Sequence, residues 1–263
     1  MQTIIAAKSG INVCTEKPMA LTIDDAEEMI KACKKFKVKL FVVKQNRLNP
    51  TLQALKKKVD EQKFGNIGIV DVNVFWQRPQ SYYDQDEWRG TIKYDGGALL
   101  NQASHYIDLL EWIIGPIEGL FASVSTISRK IEVEDTAVLQ LKWKNGALGS
   151  MSVTMISYPK NIEGSITIIG DKGSAKVGGI AVNQFEYCLF ENDRDEKNLK
   201  EFNYLPDSVY GFGHNLYYTN MLDNLFKNKD AICDGDSGLS SIKIINAAYK
   251  SAKEQRFIKL LDN

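Results

Sequence analysis

The sequence predicts an α/β segment followed by a larger α+β domain with a mainly antiparallel open sheet. Two observations predict this division. In residues 1–43, short apolar strands alternate with a helix, which is typical of parallel strands in an α/β layer. From residue 66 onward, strands follow one another with turn signals between them, and two helices come after, which is typical of an α+β domain. We therefore assign residues 1–43 to the first unit and residues 44–263 to the second.

The α/β segment opens with the end of a helix. Residues 3–9 are predicted helical, and Gly10 stands where a C-terminal cap is expected. Residues 11–14 form a short buried strand, residues 23–37 a helix, and residues 39–43 a second buried strand. The apolar stripe of the helix consists of Ala26, Met29, Ile30 and Cys33.

The second part begins with a helix at Asn49-Pro50, because proline is favoured in the first turn. Lys144-Asn145-Gly146 predicts a two-residue hairpin of type I′, since Asn-Gly supplies the positive φ angles that this turn requires. Residues 171–173 predict a second turn. The predicted strands are 67–76, 117–127, 135–144, 147–156, 162–170, 184–190 and 256–261, and the predicted helices are 102–114, 214–228 and 237–254.

Composition narrows the class of protein. Lys plus Arg and Asp plus Glu number 33 each, so the basic excess of a nucleic-acid-binding protein is missing. No apolar run approaches the ~20 residues of a membrane span, and the first residues lack the pattern of a secretory signal. The cysteines are scattered without a C-x-x-C pair, which predicts no metal site and no disulfide framework and favours a reducing cytoplasm. They are Cys14, Cys33, Cys188 and Cys233.

Glu16-Lys17-Pro18 directly follows the strand of residues 11–14. The carboxyl ends of strands in an α/β sheet face the ligand crevice, and the proline restricts the turn and permits a cis peptide bond. Lys17 is therefore a candidate for that crevice. A lysine in such a loop is more often a surface residue, so the residues alone leave both interpretations open.

A second candidate segment covers residues 96–108, with the sequence GGALLNQASHYID. Asn101, His105 and Asp108 are spaced i, i+4 and i+7, which places them on one face of a helix. Histidine is a natural proton acceptor near neutral pH, and a neighbouring carboxylate can fix its tautomer. The apolar residues that follow fit a buried core histidine equally well.

Together these segments resemble the Gfo/Idh/MocA family of sugar oxidoreductases. Glu16-Lys17-Pro18 matches the family's E-K-P motif. Residues 96–108 match G-G-x-x-x-D-x-G-x-H-x-x-D, with Asn101 in place of the acidic residue and Ala103 in place of the glycine. The resemblance covers essentially the whole chain. It implies a Rossmann-type NAD-binding domain, with NADP as the alternative cofactor, followed by a substrate-binding and oligomerisation domain.

The glycine-rich turn that opens such a cofactor domain has no counterpart, because no G-x-G-x-x-G occurs in the 263 residues. Gly211-Phe212-Gly213 comes nearest, but it lacks the third glycine and lies late in the chain, so we interpret it as a loop and a helix start. We therefore expect residues 1–43 to be the C-terminal remnant of a cofactor domain that lacks its first ~80 residues.

Within the family, residues 42–50 and Leu100-Asn101-Gln102 look most like the branch that oxidises UDP-N-acetylglucosaminuronic acid at C3 for surface polysaccharides. The resemblance implies that His105 takes the hydroxyl proton and that Lys17 favours the developing charge on the oxygen. Asn101 is the third catalytic candidate, at the position where relatives have a carboxylate. The hydride passes to the nicotinamide.

The remaining site candidates follow from the same resemblance. A uronic acid and a diphosphate both need cations, and the arginine fork suits either anion. Each of these residues alone is more often a surface or structural one. The cofactor-binding candidates are Glu16, Lys17, Pro18, Trp88 and Arg89. The substrate-binding candidates are Asn46, Arg47, Gln102, His214 and Tyr217, with Arg89 as a further cation.

Two other functions stay open at this stage. One is a family dehydrogenase that acts on a free sugar or a cyclitol. The other is a non-catalytic assembly protein, since the resemblance implies that the large sheet forms homo-oligomer contacts, in a dimer or a tetramer, and the cofactor cradle is missing. Neither a nucleic acid nor a membrane is an expected partner.

Overall fold

The computed structural model describes residues 1–191, 199–206, 209, 211–227 and 229–260. The chain opens with helix α1 (Gln2–Lys8), strand β1 (Val13–Thr15), helix α2 (Ile23–Lys35) and strand β2 (Leu40–Val42). The two strands pair in parallel, with Val13 opposite Leu40 and Thr15 opposite Val42. This confirms the predicted α/β segment, and Gly10 has the left-handed backbone (φ +74°) expected after α1.

Helix α2 forms where the sequence places it because its start is capped and one face is apolar. The Thr22 hydroxyl accepts a hydrogen bond from the Asp25 amide (3.2 Å), which satisfies a free donor of the first turn. The predicted stripe is the buried face and packs toward α1 and toward the long helix α8 (Gly235–Glu254). The helix thus fixes the position of β1 and β2 against the second part of the chain.

An eight-stranded mixed sheet forms the second part. Its neighbouring strands pair antiparallel, apart from the parallel pair β3 and β6. In spatial order the strands are β10 (Ile258–Lys259), β4 (Ile117–Ser125), β5 (Thr136–Trp143), β6 (Leu148–Thr154), β3 (Ile67–Phe75), β7 (Glu163–Gly170), β8 (Gly173–Gly178) and β9 (Gln184–Phe190).

One face of the sheet is covered by helices and the other is open. Alternate residues of β5 are buried, as a strand with one covered face requires. Helix α6 (Ser104–Ile114) is buried along most of its length and lies between helix α3 (Pro50–Asp60) and α8. The remaining helices are α4 (Gln80–Tyr83), α5 (Gly97–Leu100) and α7 (Gly213–Lys227).

The structure corrects two predictions about hairpins. Strand β8 was not predicted, because Gly173 to Gly178 consists mostly of small residues without an apolar period. The turn after β5 is also not type I′, since only Gly146 has a positive φ (+93°) and Asn145 does not. The Trp143 amide donates to the Ala147 carbonyl across a three-residue loop, in which a glycine at the third position is usual.

Most predicted element bounds agree with the structure within two residues. The closing strand is shorter than predicted and covers Ile258–Lys259, while Leu261 lies outside the described residues, as does residue 228 of the predicted helix 214–228. Gly211-Phe212-Gly213 leads directly into α7, which confirms the interpretation of this motif as a helix start. No helix in the described part of the chain is long and apolar enough to cross a membrane.

Candidate active site

Lys17 projects from the end of β1 toward the segment that carries His105. Its ammonium donates a hydrogen bond to the carbonyl oxygen of Asn101 (2.8 Å), 84 residues further along the chain. The peptide bond between Lys17 and Pro18 is cis. Burial, and next the nearby Lys44 ammonium, lower the pKa of Lys17 to about 8. The predicted lysine is therefore partly buried and lies beside the second motif.

His105 lies in the first turn of α6 and is 2% exposed. Burial holds the pKa of His105 well below its ordinary value, and the positive charges of Lys17 and Lys44 lower it further. His214 contributes in the same direction. The imidazole is therefore neutral near pH 7, the state in which a ring nitrogen can accept a proton.

Asn101 does not share a helix face with His105, contrary to the sequence-based expectation. Helix α5 ends at Leu100, and the Ala103 amide reaches back to the Ala98 carbonyl (2.8 Å), so the chain makes a turn before α6 begins. Asn101 lies in that turn. This position leaves its carbonyl for Lys17, while its side-chain amide donates to the carboxylate of Asp95.

Asp108 and Arg47 form a buried ion pair. The guanidinium donates from Nε (2.8 Å) and Nη2 (2.7 Å) to the two carboxylate oxygens, and Lys44 Nζ lies 3.8 Å from Oδ1. Burial opposes ionisation of Asp108, but Lys44 and Arg47 outweigh it and lower the pKa of the carboxyl group. The described contacts of the Arg47 guanidinium are therefore with Asp108 and the Ile232 carbonyl, and its substrate-binding role stays a prediction.

Tyr217 is also held internally. Its hydroxyl donates to the carbonyl oxygen of Val42 at the end of β2 (2.6 Å), which ties α7 to the parallel strands. In the described structure the hydroxyl donates to the backbone, and the role of Tyr217 as a substrate donor stays a prediction.

Asn46 and Gln102 agree better with a binding role. Both side chains are about 95% buried, at 4% and 5% exposure. Within the described residues, Asn46 Oδ1 and Gln102 Nε2 have no hydrogen-bond partner. Buried polar atoms without partners cost free energy, and a polar ligand would relieve that cost.

Trp88 and Arg89 lie on a loop whose backbone is hydrogen-bonded to a residue of the site. The Arg89 guanidinium stacks over the Tyr82 ring (4.1 Å) and pairs with Asp86 (2.7 Å). The next residue, Gly90, donates its amide to the Asp95 carboxylate (2.6 Å). Trp88 is 42% exposed. The loop is thereby linked to the same carboxylate that holds Asn101.

Three residues near these groups were not predicted from the sequence. Asp95 directly precedes the two glycines of the motif, and Lys44 follows β2 as Lys17 follows β1, so the strand-end rule that selected Lys17 also points to Lys44. Glu134 accepts a hydrogen bond from the Leu99 amide (2.8 Å) and one from the Tyr249 hydroxyl (3.0 Å). No sequence signal marks Glu134, because its partners are distant in the chain.

The residues present fit one end of a dinucleotide. Lys17 and Lys44 follow the parallel strands β1 and β2 at the same edge, where α/β sheets bind cofactors. Glu16, Lys17 and Pro18 would border the nicotinamide end there. The sequence contains no glycine-rich turn to receive the pyrophosphate.

A parallel α/β unit joined to an open-sheet domain, with a lysine and a neutral histidine at one site, defines an oxidoreductase that uses a nicotinamide cofactor. Residues 2–44 match the NAD-binding Rossmann fold of the Gfo/Idh/MocA oxidoreductase family, and residues 56–260 match its C-terminal alpha/beta domain. The chain belongs to this family.

Two solved structures are similar over the whole chain. The WlbA dehydrogenase from Bordetella pertussis, in complex with NADH and UDP-GlcNAcA, is 49% identical with a TM-score of 0.95, and the match covers 100% of this chain and 76% of that one. The WlbA dehydrogenase from Chromobacterium violaceum, with the same two ligands, is 50% identical with a TM-score of 0.93, covering 100% and 74%. Myo-inositol 2-dehydrogenase from Thermotoga maritima is 27% identical, covering 98% of this chain and 75% of its own length.

Proposed function

We propose that this chain belongs to a dehydrogenase that oxidises UDP-N-acetylglucosaminuronic acid at C3 with NAD, in the synthesis of surface-polysaccharide sugars. The observation that carries the proposal is the contact between Lys17 and the Asn101 carbonyl, which brings the strand-end lysine to the turn before His105. The identity of 49% and 50% to two dehydrogenases crystallised with NADH and UDP-GlcNAcA supports the choice of substrate.

The mechanism divides the work between two residues. Neutral His105 accepts the proton of the C3 hydroxyl, and protonated Lys17 hydrogen-bonds the same oxygen and stabilises the negative charge that develops there. A bound nicotinamide cofactor would supply the hydride acceptor for C3. The buried environment strengthens both interactions, because little water screens them. Asn46 and Gln102 supply polar groups for the substrate, and Arg89 and His214 are the candidates for binding its carboxylate and diphosphate.

The test is turnover of NAD and UDP-N-acetylglucosaminuronate, followed by NADH absorbance. Lys17→Met and His105→Ala each lower kcat by about 10²- to 10⁴-fold, the usual scale for an acid–base group. Circular dichroism checks that both variants fold. Turnover equal to that of the unsubstituted protein in both variants contradicts the catalytic assignment.

A free sugar or cyclitol is the second candidate substrate, and the similarity to a myo-inositol 2-dehydrogenase favours it. Free glucose and myo-inositol assayed beside the nucleotide sugar separate the two functions. Turnover of myo-inositol without turnover of the nucleotide sugar would replace the proposal.

We also propose that the open face of the sheet mediates homo-oligomer contacts. Ile69 and Leu148 lie opposite each other on β3 and β6, and Val138 lies on the same face of β5. These side chains are 41%, 52% and 51% exposed. Leu148→Glu should lower the mass measured by light scattering after size-exclusion chromatography, whereas Ile5→Glu on α1 serves as the control. An unchanged mass in both variants would remove the sheet from the interface.

A further inference from the structure

Asp95 is a buried carboxylate whose contacts converge on the active site. It is 4% exposed and directly precedes Gly96, which has a left-handed backbone (φ +74°). One carboxylate oxygen accepts the side-chain amide of Asn101, and the other accepts the Gly90 amide (2.6 Å). The same residue therefore binds the turn before α6 and the loop that carries Trp88.

The charge of Asp95 bears on Lys17 both directly and through Asn101. Burial raises the pKa of Asp95, and the hydrogen bonds from Gly90 and Asn101 oppose that rise, as do the charges of Arg89 and then Lys17. In return, the Asp95 charge favours the protonated form of Lys17. The Asn101 carbonyl accepts the Lys17 ammonium while its amide holds the carboxylate, so one asparagine bridges the two charges.

We propose that Asp95 is a positioning residue for Lys17, which acts with Asn101 to hold the ammonium at the end of β1 and to tie the Gly90 loop to it. The inference rests on the proposed function, because it assigns Asp95 a part in the same site. Asp135 is a contrasting carboxylate, since it accepts only groups of residues 127–136 in the described structure, namely the amides of Ile127, Ser128 and Arg129 and the Thr136 hydroxyl. It is not among the main charges that act on Lys17.

Other charges also act on Lys17 and have to be separated from that of Asp95. Lys44, at the end of β2, and Arg78, after β3, lower the pKa of Lys17, whereas Glu16 and Asp95 raise it. Asp95→Asn removes the negative charge and keeps nearly the same shape, and it also replaces one of the two acceptor oxygens by an NH2 donor. Lys44→Met removes a positive charge and serves as the control of opposite sign.

The first experiment follows the Lys17 titration by NMR in the 263-residue chain labelled with ¹³C at lysine Cε. The Lys17 signal is assigned by its loss in Lys17→Met, and its midpoint is expected at about pH 8. Asp95→Asn lowers the midpoint by about 1 unit, the effect of losing a nearby opposite charge. Lys44→Met raises it, and Asp135→Asn leaves it unchanged. An unchanged midpoint in folded Asp95→Asn overturns the proposal.

The second experiment exchanges the two partners. Asn101→Asp places a second carboxylate within hydrogen-bond distance of Asp95, and like charges at that distance oppose each other. The double variant Asp95→Asn/Asn101→Asp restores one amide and one carboxylate in reversed order. We expect each single variant to lower kcat by about tenfold, less than the loss of an acid–base group, and the double variant to recover most of that loss.

The two readouts distinguish failure of this inference from failure of the proposed function. If neither the unsubstituted protein nor any variant turns over UDP-N-acetylglucosaminuronate but the Lys17 midpoint still shifts in Asp95→Asn, the positioning role stands and the proposed function fails. If the protein is active and the double variant is as impaired as the two single variants combined, Asp95 and Asn101 act independently and the proposal is wrong.

Discussion

Removal of the Arg47 guanidinium should destabilise the fold rather than weaken substrate binding alone. Arg47 donates two charge-assisted hydrogen bonds to Asp108 and a third to the carbonyl oxygen of Ile232 (2.9 Å). Asp108 is 3% exposed, so Arg47→Met leaves its carboxylate buried, and the remaining partners among the described residues are Lys44 at 3.8 Å and the Ser241 hydroxyl at 3.4 Å. The remaining partners are longer contacts than those removed.

The size of the effect follows from the desolvated charge. Breaking a buried ion pair by removing one partner costs about 3–5 kcal/mol, because the other charge stays buried without compensation. Lys44 compensates in part, so we expect the lower end, about 3 kcal/mol, for Arg47→Met. Urea unfolding followed by tryptophan fluorescence measures this loss as a lower midpoint with an unchanged m-value.

The control removes both partners. Arg47→Met/Asp108→Leu should cost at least about 2 kcal/mol less than the sum of the single variants, since residues in contact couple by up to ~3 kcal/mol. Additive losses, or a loss below about 0.5 kcal/mol in Arg47→Met, the range usual at surface sites, would refute the assignment. If that small loss came with a raised KM for the nucleotide sugar, the predicted substrate-binding role of Arg47 would be supported.

Three further predictions concern protonation and backbone geometry. Because protonated Lys17 is needed to stabilise the developing charge, kcat should fall above about pH 8. Lys17→Arg should move that decline to higher pH. A plot of kcat against pH that stays flat through pH 10 would exclude the role of the ammonium. Burial raises the pKa of Glu134 from 4.5 to about 7, so between these pH values the folded state holds a proton that the unfolded state releases. The contribution of Glu134 to stability is therefore fully present below pH 4.5 and falls by up to about 3 kcal/mol as the pH rises to 7. Glu134→Gln should flatten this pH dependence of the free energy of unfolding, measured in urea. Gly97 and Gly146 both have positive φ, but a Cβ at residue 97 would lie 2.0 Å from Glu134 Oε2, whereas a Cβ at residue 146 would meet open space. Gly146→Ala should lower the free energy of unfolding by about 1 kcal/mol and Gly97→Ala by at least twice that. Equal losses in the two variants would contradict the steric argument.

The fold was largely predictable because most of its elements have an apolar period. The stripe of α2 and the alternation of β5 each follow from burial of one face. Strand β8 was not predicted because its buried residues are mostly small. It forms through pairing with β7 and β9 in the sheet rather than through the local β preference of its residues. The turn at Gly146 shows the same limit, since the number of loop residues, which is fixed by strand register, determines the turn type.

The site was predictable only where its chemistry lies within one motif. Lys17 and His105 were found because each stands in a short segment with a recognisable pattern. Asp95 and Lys44 contribute through partners that the fold brings from distant parts of the chain, and no spacing encodes those contacts. The prediction that Asn101 shares the face of α6 failed because the turn after α5 interrupts the helix.

The distribution of charge explains why Lys17 suits the proposed reaction better than its buried neighbours. Lys44 and Arg47 share the single Asp108 carboxylate, so each is held near a negative charge in the interior. The described hydrogen bond of the Lys17 ammonium goes to a neutral carbonyl, and burial makes the charged form costly, as the lowered pKa shows. A negative charge that develops on a substrate oxygen would offset part of that cost, so the interaction is stronger in the transition state than in the ground state. Substitution of Lys44 would therefore change this site through Lys17, whereas substitution of Lys17 would remove the charge that the reaction uses.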